Sequence, residues 1–181
     1  MPRGDDVPLV VGRAHGALAQ QEAASVWARA VSRRDALPVQ ARAQEKLPGI
    51  RSARAGPGAS LHLARRGERV VGFCVLVPSG ERLEVRYLAT DPDAWGSGVG
   101  RALLTHVDAH LGAAGGELWV LTDNPRAVAA YEGAGRVGTD DVEERATPGR
   151  PERRFVRDVR EVHMTRRSTC ASGKYSGRTG T

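Results

Sequence analysis

The sequence predicts one mixed α/β domain, in which a mostly antiparallel central sheet of about six or seven strands is flanked by about four helices. Two observations carry this prediction. Three strand patterns follow one another with only tight turns between them, which is typical of an antiparallel meander. A strand–helix–strand order in the second half of the chain then requires at least one parallel strand pair.

The chain opens with one strand pattern and two helix patterns. Residues 8–11 are β-prone, and residues 17–31 are rich in Ala, Gln and Glu, which favours a helix. Residues 34–49 predict a second, short helix that Pro48 limits. Residues 51–59 contain Gly, Pro, Ser and Arg and predict a loop.

The meander follows at once. Residues 60–65, 69–77 and 81–90 predict three strands joined by turns that contain Gly67 and Gly80. The middle run is almost continuously apolar, as a central strand would be, and the third run alternates apolar with charged residues. These three strands are expected to form the middle of the sheet.

Helices and strands then alternate. A helix is expected after residues 91–100, because Leu103 and Val107 lie on one apolar stripe at helical spacing. Residues 117–121 predict a strand. Asn124, followed directly by Pro125, then gives a strong signal for the start of another helix.

The end of the chain predicts two more strands and a tail. The strands are expected at residues 136–145 and 159–165, joined by a polar loop over residues 146–154. The single domain would then span residues 1–165. Residues 166–181 have little apolar content and are expected to form a basic, disordered tail.

Composition narrows the classes of function. The net charge of +6 falls to about +2 without the tail, which disfavours a nucleic-acid partner for the domain itself. Two cysteines without a motif indicate no disulfide framework, and no apolar run approaches the ~20 residues that span a bilayer. We therefore expect a cytoplasmic protein without a membrane partner, and the sequence leaves monomer and homodimer open.

A glycine-rich turn precedes the third predicted helix. Gly96, Gly98 and Gly100 allow positive φ angles and a close approach of a ligand to the backbone. The first N–H groups of the helix would carry partial positive charge there, and Arg101 adds a cation. A phosphate group is therefore the expected ligand. The spacing fits neither a P-loop nor a Rossmann fingerprint, and a tight strand-to-helix connection is the alternative interpretation.

Two motifs in this half of the chain resemble the GNAT superfamily of N-acetyltransferases. Residues 88–101 look like the acetyl-CoA signature of that family, whose general form is Gln/Arg-x-x-Gly-x-Gly/Ala. Asn124, Ala127 and Tyr131 match a second family pattern at spacings of three and four. The order of the elements agrees as well. The resemblance implies an α/β fold and the transfer of an acetyl group from acetyl-CoA to an amine by direct attack in a ternary complex.

The resemblance also implies individual roles. Tyr131 would protonate the leaving thiolate, and Asn124, beside Ala127, would hydrogen-bond the co-substrate. The backbone of β-strand residues 88–90 would pair with the pantetheine arm at a splay in the sheet, and the amides of residues 96–101 would hold the pyrophosphate. The residues expected to bind acetyl-CoA are Leu88, Ala89, Thr90, Gly96, Ser97, Gly98, Val99, Gly100, Arg101, Asn124 and Ala127.

The chain departs from the family pattern at two functional positions. Trp95 stands where Gln or Arg is usual, so one side-chain contact to the pyrophosphate would be lost. Residues 118–123 lack the glutamate that some members use as a base, so Glu84 becomes the best candidate. Glu84 lies four residues before Leu88, where some histone-acetylating relatives carry a base, and alternation places both on one face. A cross-strand ion pair with an arginine is the alternative role for Glu84.

Other polar and aromatic residues receive structural interpretations. Trp119 is expected in the core. His106 and His110 lie one helical turn apart but have no apparent third ligand, so no metal site is expected. The acidic run at residues 140–144 fits an exposed strand edge or an attraction for a cationic acceptor.

Two other classes of function stay open at this point. A non-catalytic acyl-CoA sensor would bind the co-substrate without turnover. A basic protein that binds nucleic acid through its tail would lose salt-dependent binding after truncation at Thr165. The acceptor itself, a small molecule or a protein amine, is not identified by the sequence.

Overall fold

The computed structural model describes residues 7–145 and 148–159. Within them, seven strands and four helices confirm the predicted fold class. The first half contains β1 (Leu9–Ala14), α1 (Gly16–Arg34), α2 (Ala43–Arg54), β2 (Ser60–Arg66), β3 (Arg69–Ser79) and β4 (Arg82–Thr90). The second half contains α3 (Val99–Asp108), β5 (Gly116–Leu121), α4 (Pro125–Gly133), β6 (Val137–Glu143) and β7 (Glu152–Arg157).

The strands form one sheet in the order β1-β2-β3-β4-β5-β7-β6, in which only β4 and β5 are parallel. Because strand side chains alternate between faces, the sheet has two cores. Phe73 and Val75 of β3 pack with α1 and α2, whereas Cys74 and Leu76 pack on the face of α3. The helices thus cover both faces and leave the strand ends beside α3 and α4 open to form a site.

Two predicted elements are placed differently in the structure. The short helix expected over residues 34–49 is α2, and it continues through Pro48 into the predicted loop. Pro48 removes one backbone donor, but the turn after it brings Ile50 into complete burial on the α1 face of the sheet. The burial of Ile50 offsets the cost of the proline, which local pattern alone does not reveal.

The last strand of the described residues lies before the predicted one. β7 runs over Glu152–Arg157, so that its first half lies in the expected polar loop, and it pairs with both β5 and β6. The sequence of β7 is rich in charged residues, which is why no strand was predicted there. In the structure Phe155 is buried, while Arg154 makes an ion pair with Glu117 of β5. Residues 160–165, part of the predicted strand, and the predicted tail at 166–181 lie outside the described residues.

The glycine turn is tied to α1 by a buried carboxylate. Asp91 is completely buried, directly after β4, and its side chain accepts hydrogen bonds from Arg29, Arg69 and the backbone N–H of Asp93. Burial alone would raise the pKa of Asp91, but these bonds outweigh it and hold the pKa below its usual value. The end of β4 is therefore anchored to the helix on the opposite side of the turn.

Replacing Asp91 with asparagine should lower the free energy of unfolding by about 1.5–3 kcal/mol, because hydrogen bonds to a charged group are lost. The matched control is Asp93→Asn, since the Asp93 side chain is 75% exposed and, in the described residues, pairs with Arg69 alone. Urea unfolding of both variants at pH 7 measures the difference. Equal effects of the two substitutions would contradict the anchoring role of Asp91.

Candidate active site

The parallel pair β4–β5 separates after three residue pairs. Leu83, Glu84 and Val85 pair with Gly116, Glu117 and Leu118, and no pairing between the two strands follows in the described residues. A β-bulge at Arg86 turns β4 at this point, and β5 ends soon afterwards where α4 begins. The gap between the strands is the splay that the sequence comparison with the family implied.

Two clefts open at this gap. The glycine cleft, of about 620 Å³, lies between α1, the end of β4, the glycine turn and α4. The charged cleft, of about 770 Å³, lies on the α1 face between β4, β5 and the chain around Arg145 and Arg150. Seven residues line both clefts and therefore join them: Trp27, Val31, Arg34, Leu88, Asn124, Ala127 and Tyr131.

The glycine cleft contains most of the residues predicted to bind a co-substrate. Those in its lining are Leu88, Ala89, Thr90, Gly96, Gly98, Val99, Gly100, Arg101, Asn124 and Ala127, and the predicted catalytic acid Tyr131 lies with them. Ser97 is the exception, since its hydroxyl donates to the carbonyl of Ala94 and its carbonyl accepts from Arg66. The structure thus brings both sequence motifs to one cleft.

The glycine turn presents free donors to this cleft. Gly96 and Gly98 have φ angles of +79° and +83°, which side chains with a Cβ rarely adopt, and Gly98 is the N-cap of α3. A helix leaves its first N–H groups without an intrahelical acceptor, so those of residues 99–101 point out of the helix start. They form a concave set of donors suited to an anion.

Two exposed arginines flank these donors. Arg101 and Arg126 line the glycine cleft and make no ion pair within the described residues. The Arg126 guanidinium carbon lies 3.4 Å from the ring centroid of Trp95, whose indole N–H donates to the carbonyl of Thr90. Arg126 thus supplies a cation beside Trp95, the position where the family usually has Gln or Arg. Free donors, cations and cleft volume together fit a pyrophosphate-containing ligand.

Sequence reasoning missed Trp27 and Arg126. Trp27 sits in an Ala-rich helix pattern, and nothing in the sequence indicates that α1 crosses the cleft. Arg126 carried a weak signal, because it occupies the first turn of the helix that Asn124 and Pro125 begin. The start of a helix that follows a strand faces the same sheet edge as the glycine turn.

Asn124 has one side-chain group that makes no hydrogen bond within the described residues. Its side-chain oxygen accepts a hydrogen bond from the N–H of Ala127, which caps α4. The side-chain NH₂ group makes no hydrogen bond within the described residues and lies where both clefts meet. Capping and ligand contact are therefore compatible in this residue.

Tyr131 lies at the junction of the clefts. Its side chain is 8% exposed and packs near Phe155, yet its hydroxyl makes no hydrogen bond within the described residues. Burial raises the pKa of Tyr131 to about 12. The phenol is therefore protonated at neutral pH and available as a proton donor.

Glu84 is placed differently from the prediction. The bulge at Arg86 adds one residue to β4, so Leu83, Val85 and Leu88 face the α3 core, whereas Glu84 lines the charged cleft. The expected common face of Glu84 and Leu88 is therefore wrong. Glu84 is 3% exposed, and its carboxylate pairs with Arg86 at 3.0 Å and with Arg145 at 3.1 Å.

The charged cleft carries more cations than carboxylates. Asp35 pairs with Arg34 and Arg150, and the first of these pairs is the main reason that the pKa of Asp35 is lowered. Lys46 makes no ion pair within the described residues and lies 5.6 Å from the Trp27 ring. The lining contains five cations and three carboxylates: Arg34, Lys46, Arg86, Arg145, Arg150, Asp35, Glu84 and Glu152.

Trp119 and the acidic run complete the surroundings. Trp119 was expected in the core, but it is half-buried, lines the charged cleft and carries the Arg145 guanidinium over its ring.

Asp140, Asp141 and Glu143 are exposed on β6, an edge strand of the sheet, and line neither cleft. Charge on an edge strand opposes pairing with other chains, which explains this run.

Comparisons with known proteins agree with this arrangement. The family model described as "Acetyltransferase (GNAT) family" matches residues 25–135, which include the second half of α1, the glycine turn and α4. The sequence has no match among curated proteins. No helix within the described residues is long and apolar enough to cross a membrane.

Solved structures resemble the whole described domain. A GNAT-family protein from Desulfovibrio desulfuricans has a TM-score of 0.66 at 15% identity, over 84% of this chain and 99% of that chain. The ribosomal-protein-S18-alanine N-acetyltransferase from Escherichia coli has a TM-score of 0.63 at 17% identity, over 82% and 92%. Apo YjaB from Escherichia coli has a TM-score of 0.60 at 25% identity, over 82% and 97%.

Proposed function

Since the chain belongs to the GNAT family of acetyltransferases, we propose that it transfers the acetyl group of acetyl-CoA to a primary amine by direct attack in a ternary complex. One observation carries the proposal. The glycine cleft and the charged cleft meet at Leu88, Asn124 and Tyr131, so two substrates could enter from separate sides and react at the junction. A cytoplasmic location and a monomeric or homodimeric state stay predictions.

The glycine cleft would hold acetyl-CoA. The free N–H groups of residues 99–101, with Arg101 and Arg126, would bind the phosphates. The unpaired side of β4 at Leu88 and Ala89 would bind the pantetheine arm through the backbone. The carbonyl of Thr90 already accepts from Trp95, so Thr90 would contribute less than the sequence predicted.

The reaction needs a neutral amine and a proton for the departing sulfur. The amine nitrogen forms a bond to the thioester carbonyl carbon while an N–H of β4 near Leu88 stabilises the oxygen. The carbon–sulfur bond then breaks, and Tyr131 donates its phenolic proton to the thiolate. Glu84, directly or through water, accepts the proton that the attacking amine loses. Positioning of the two substrates supplies much of the acceleration.

The charge of the second cleft favours an acceptor that carries a negative group beside its amine. Five cations against three carboxylates, with Lys46 unpaired in the described residues, would attract a carboxylate or phosphate and repel a polycation. We therefore place amino acids and their derivatives ahead of polyamines and aminoglycosides as acceptors.

A screen of amines by thiol release from acetyl-CoA tests the function. Each α-amino acid is paired with the amine that lacks its carboxylate, so that the two acceptors differ only in the negative group. The amino acid should have the higher kcat/KM by at least about 10-fold, a difference of about 1.4 kcal/mol. Acetyl-CoA binding without turnover on any amine would support the non-catalytic sensor, and preference for polycations would contradict the acceptor class.

The role of Glu84 can be separated from its ion pairs. Glu84→Gln should lower kcat/KM about 100-fold at pH 7, the lower end for loss of a general base, with recovery at higher pH where the amine is already neutral. Steady-state rates between pH 7 and 10 measure this effect. A purely structural ion pair with Arg86 and Arg145 would instead give a loss that is independent of pH, together with a lower unfolding midpoint.

A further inference from the structure

Three histidines that neither cleft uses converge on the opposite end of α3. His62 is completely buried on β2, and His106 and His110 lie one turn apart over it. The ring centroids are 4.8 Å apart for His62 and His106, 5.0 Å for His62 and His110, and 4.5 Å for His106 and His110. The sequence showed no third ligand candidate beside His106 and His110, and the fold brings one from β2.

Hydrogen bonds outside the cluster orient two of the rings. His110 Nδ1 lies 2.8 Å from the carbonyl oxygen of His106, and since a carbonyl only accepts, Nδ1 carries the hydrogen and Nε2 keeps its lone pair. His62 Nε2 lies 2.9 Å from the Ser60 hydroxyl, which leaves Nδ1 directed at His106 Nε2, 2.8 Å away. Such outer bonds are typical of histidines that ligate a metal.

We propose that His62, His106 and His110 form a site for a divalent first-row metal that prefers imidazole, with Zn²⁺ as its representative. One ligand atom from each residue lies within 4.8 Å of the other two. Three nitrogens on a tetrahedral Zn²⁺, at about 2.0–2.1 Å each, would lie roughly 3.3 Å apart, so small ring rotations suffice. Three protein ligands leave the fourth position for water or an anion.

The charged residues around the proposed site affect which ligands it can bind. Arg13 of β1 lies opposite His62 in the strand register, and Arg54 is also near enough to lower the His62 pKa. Burial is the main cause that lowers the pKa of His62 to about 4. The neighbouring arginines weaken the binding of any cation and favour an anion as the fourth ligand.

The metal would act on stability and not on the transfer reaction. None of the three histidines lines either cleft, and together they connect β2 to the end of α3. The start of the same helix faces the glycine cleft, so a metal here would fix α3 on the sheet. Metal binding at these histidines does not depend on acetyl transfer in the clefts.

Untagged protein, stripped with EDTA, is titrated with ZnCl₂ and compared with His106→Gln, His110→Gln and the control His15→Gln. His15 is exposed and lies outside the cluster. One Zn²⁺ should bind per chain, and the melting temperature should rise by roughly 5–10 °C at about 100 times the dissociation constant. Each cluster variant should weaken the affinity by at least about 10–100-fold, whereas His15→Gln should not.

Co²⁺ gives a second readout, because a tetrahedral nitrogen site produces visible absorption that an octahedral aqueous ion largely lacks. This absorption should appear with the wild type and disappear in both cluster variants. Absence of Zn²⁺ binding to the wild type, or equal binding by the wild type and both cluster variants, would overturn the proposal. Substitution of His62 is avoided, since a change at a buried position could unfold the chain.

Discussion

Replacing Gly98 with glutamate should weaken acetyl-CoA binding by roughly 10²–10⁴-fold, the loss expected when two hydrogen bonds to a charged group are removed. A Cβ at Gly98 would meet nothing within 4 Å, so the new side chain projects into open space at the rim of the glycine cleft. Its carboxylate would compete for the N–H groups at the start of α3 and repel the phosphates. Calorimetric titration of the variant measures the change.

The matched control for this substitution is Gly80→Glu. Gly80 also has a positive φ angle, +58°, and open space around its Cα, but it lies in the β3–β4 turn and lines neither cleft. Both variants carry the same change of charge and a similar backbone strain of about 1–2 kcal/mol. Equal binding of acetyl-CoA by Gly98→Glu and Gly80→Glu would contradict a phosphate site at the glycine turn.

Replacing Tyr131 with phenylalanine should lower kcat by roughly 10²–10⁴-fold, because the leaving thiolate loses its proton donor. The hydroxyl makes no hydrogen bond within the described residues, so its removal should leave the fold and the acetyl-CoA affinity nearly unchanged. Thiol release at saturating substrates measures kcat, and titration measures the affinity. A fall in affinity with unchanged kcat would instead assign Tyr131 to binding.

The pH profile of the wild type tests the same role. With the pKa of Tyr131 raised to about 12, the phenol stays protonated between pH 7 and 10. The rate should therefore rise with pH as the acceptor amine loses its proton, and then reach a plateau without an alkaline fall below about pH 10. A decline that begins near pH 8 would show that another group supplies the proton.

The glycine turn and the capped start of α4 could be predicted because their signals are local. Gly98 must adopt a positive φ angle, and Asn124 caps a helix whose first residue is a proline. Both features are visible within a few residues of sequence. The antiparallel meander was predictable for the same reason, since strand alternation and short turns are local patterns. These elements place most of the expected co-substrate contacts in one cleft.

What sequence could not predict depends on contacts between distant segments. β7 was missed because Arg154 reaches Glu117 of another strand. The extension of α2 past Pro48 was missed because it depends on the burial of Ile50 against α1 and the sheet. A bulge at Arg86 places Glu84 on the opposite face of the sheet from Leu88, and an alternation pattern does not reveal a bulge. Tertiary contacts thus decided the positions at which local propensity failed.

Calorimetric titration of the purified chain with acetyl-CoA is the decisive measurement, because every proposed step requires this co-substrate in the glycine cleft. We expect saturable binding of one molecule per chain, with a dissociation constant of about 1–100 µM. No heat of binding at millimolar acetyl-CoA would contradict it and leave the glycine turn as a tight connection between β4 and α3.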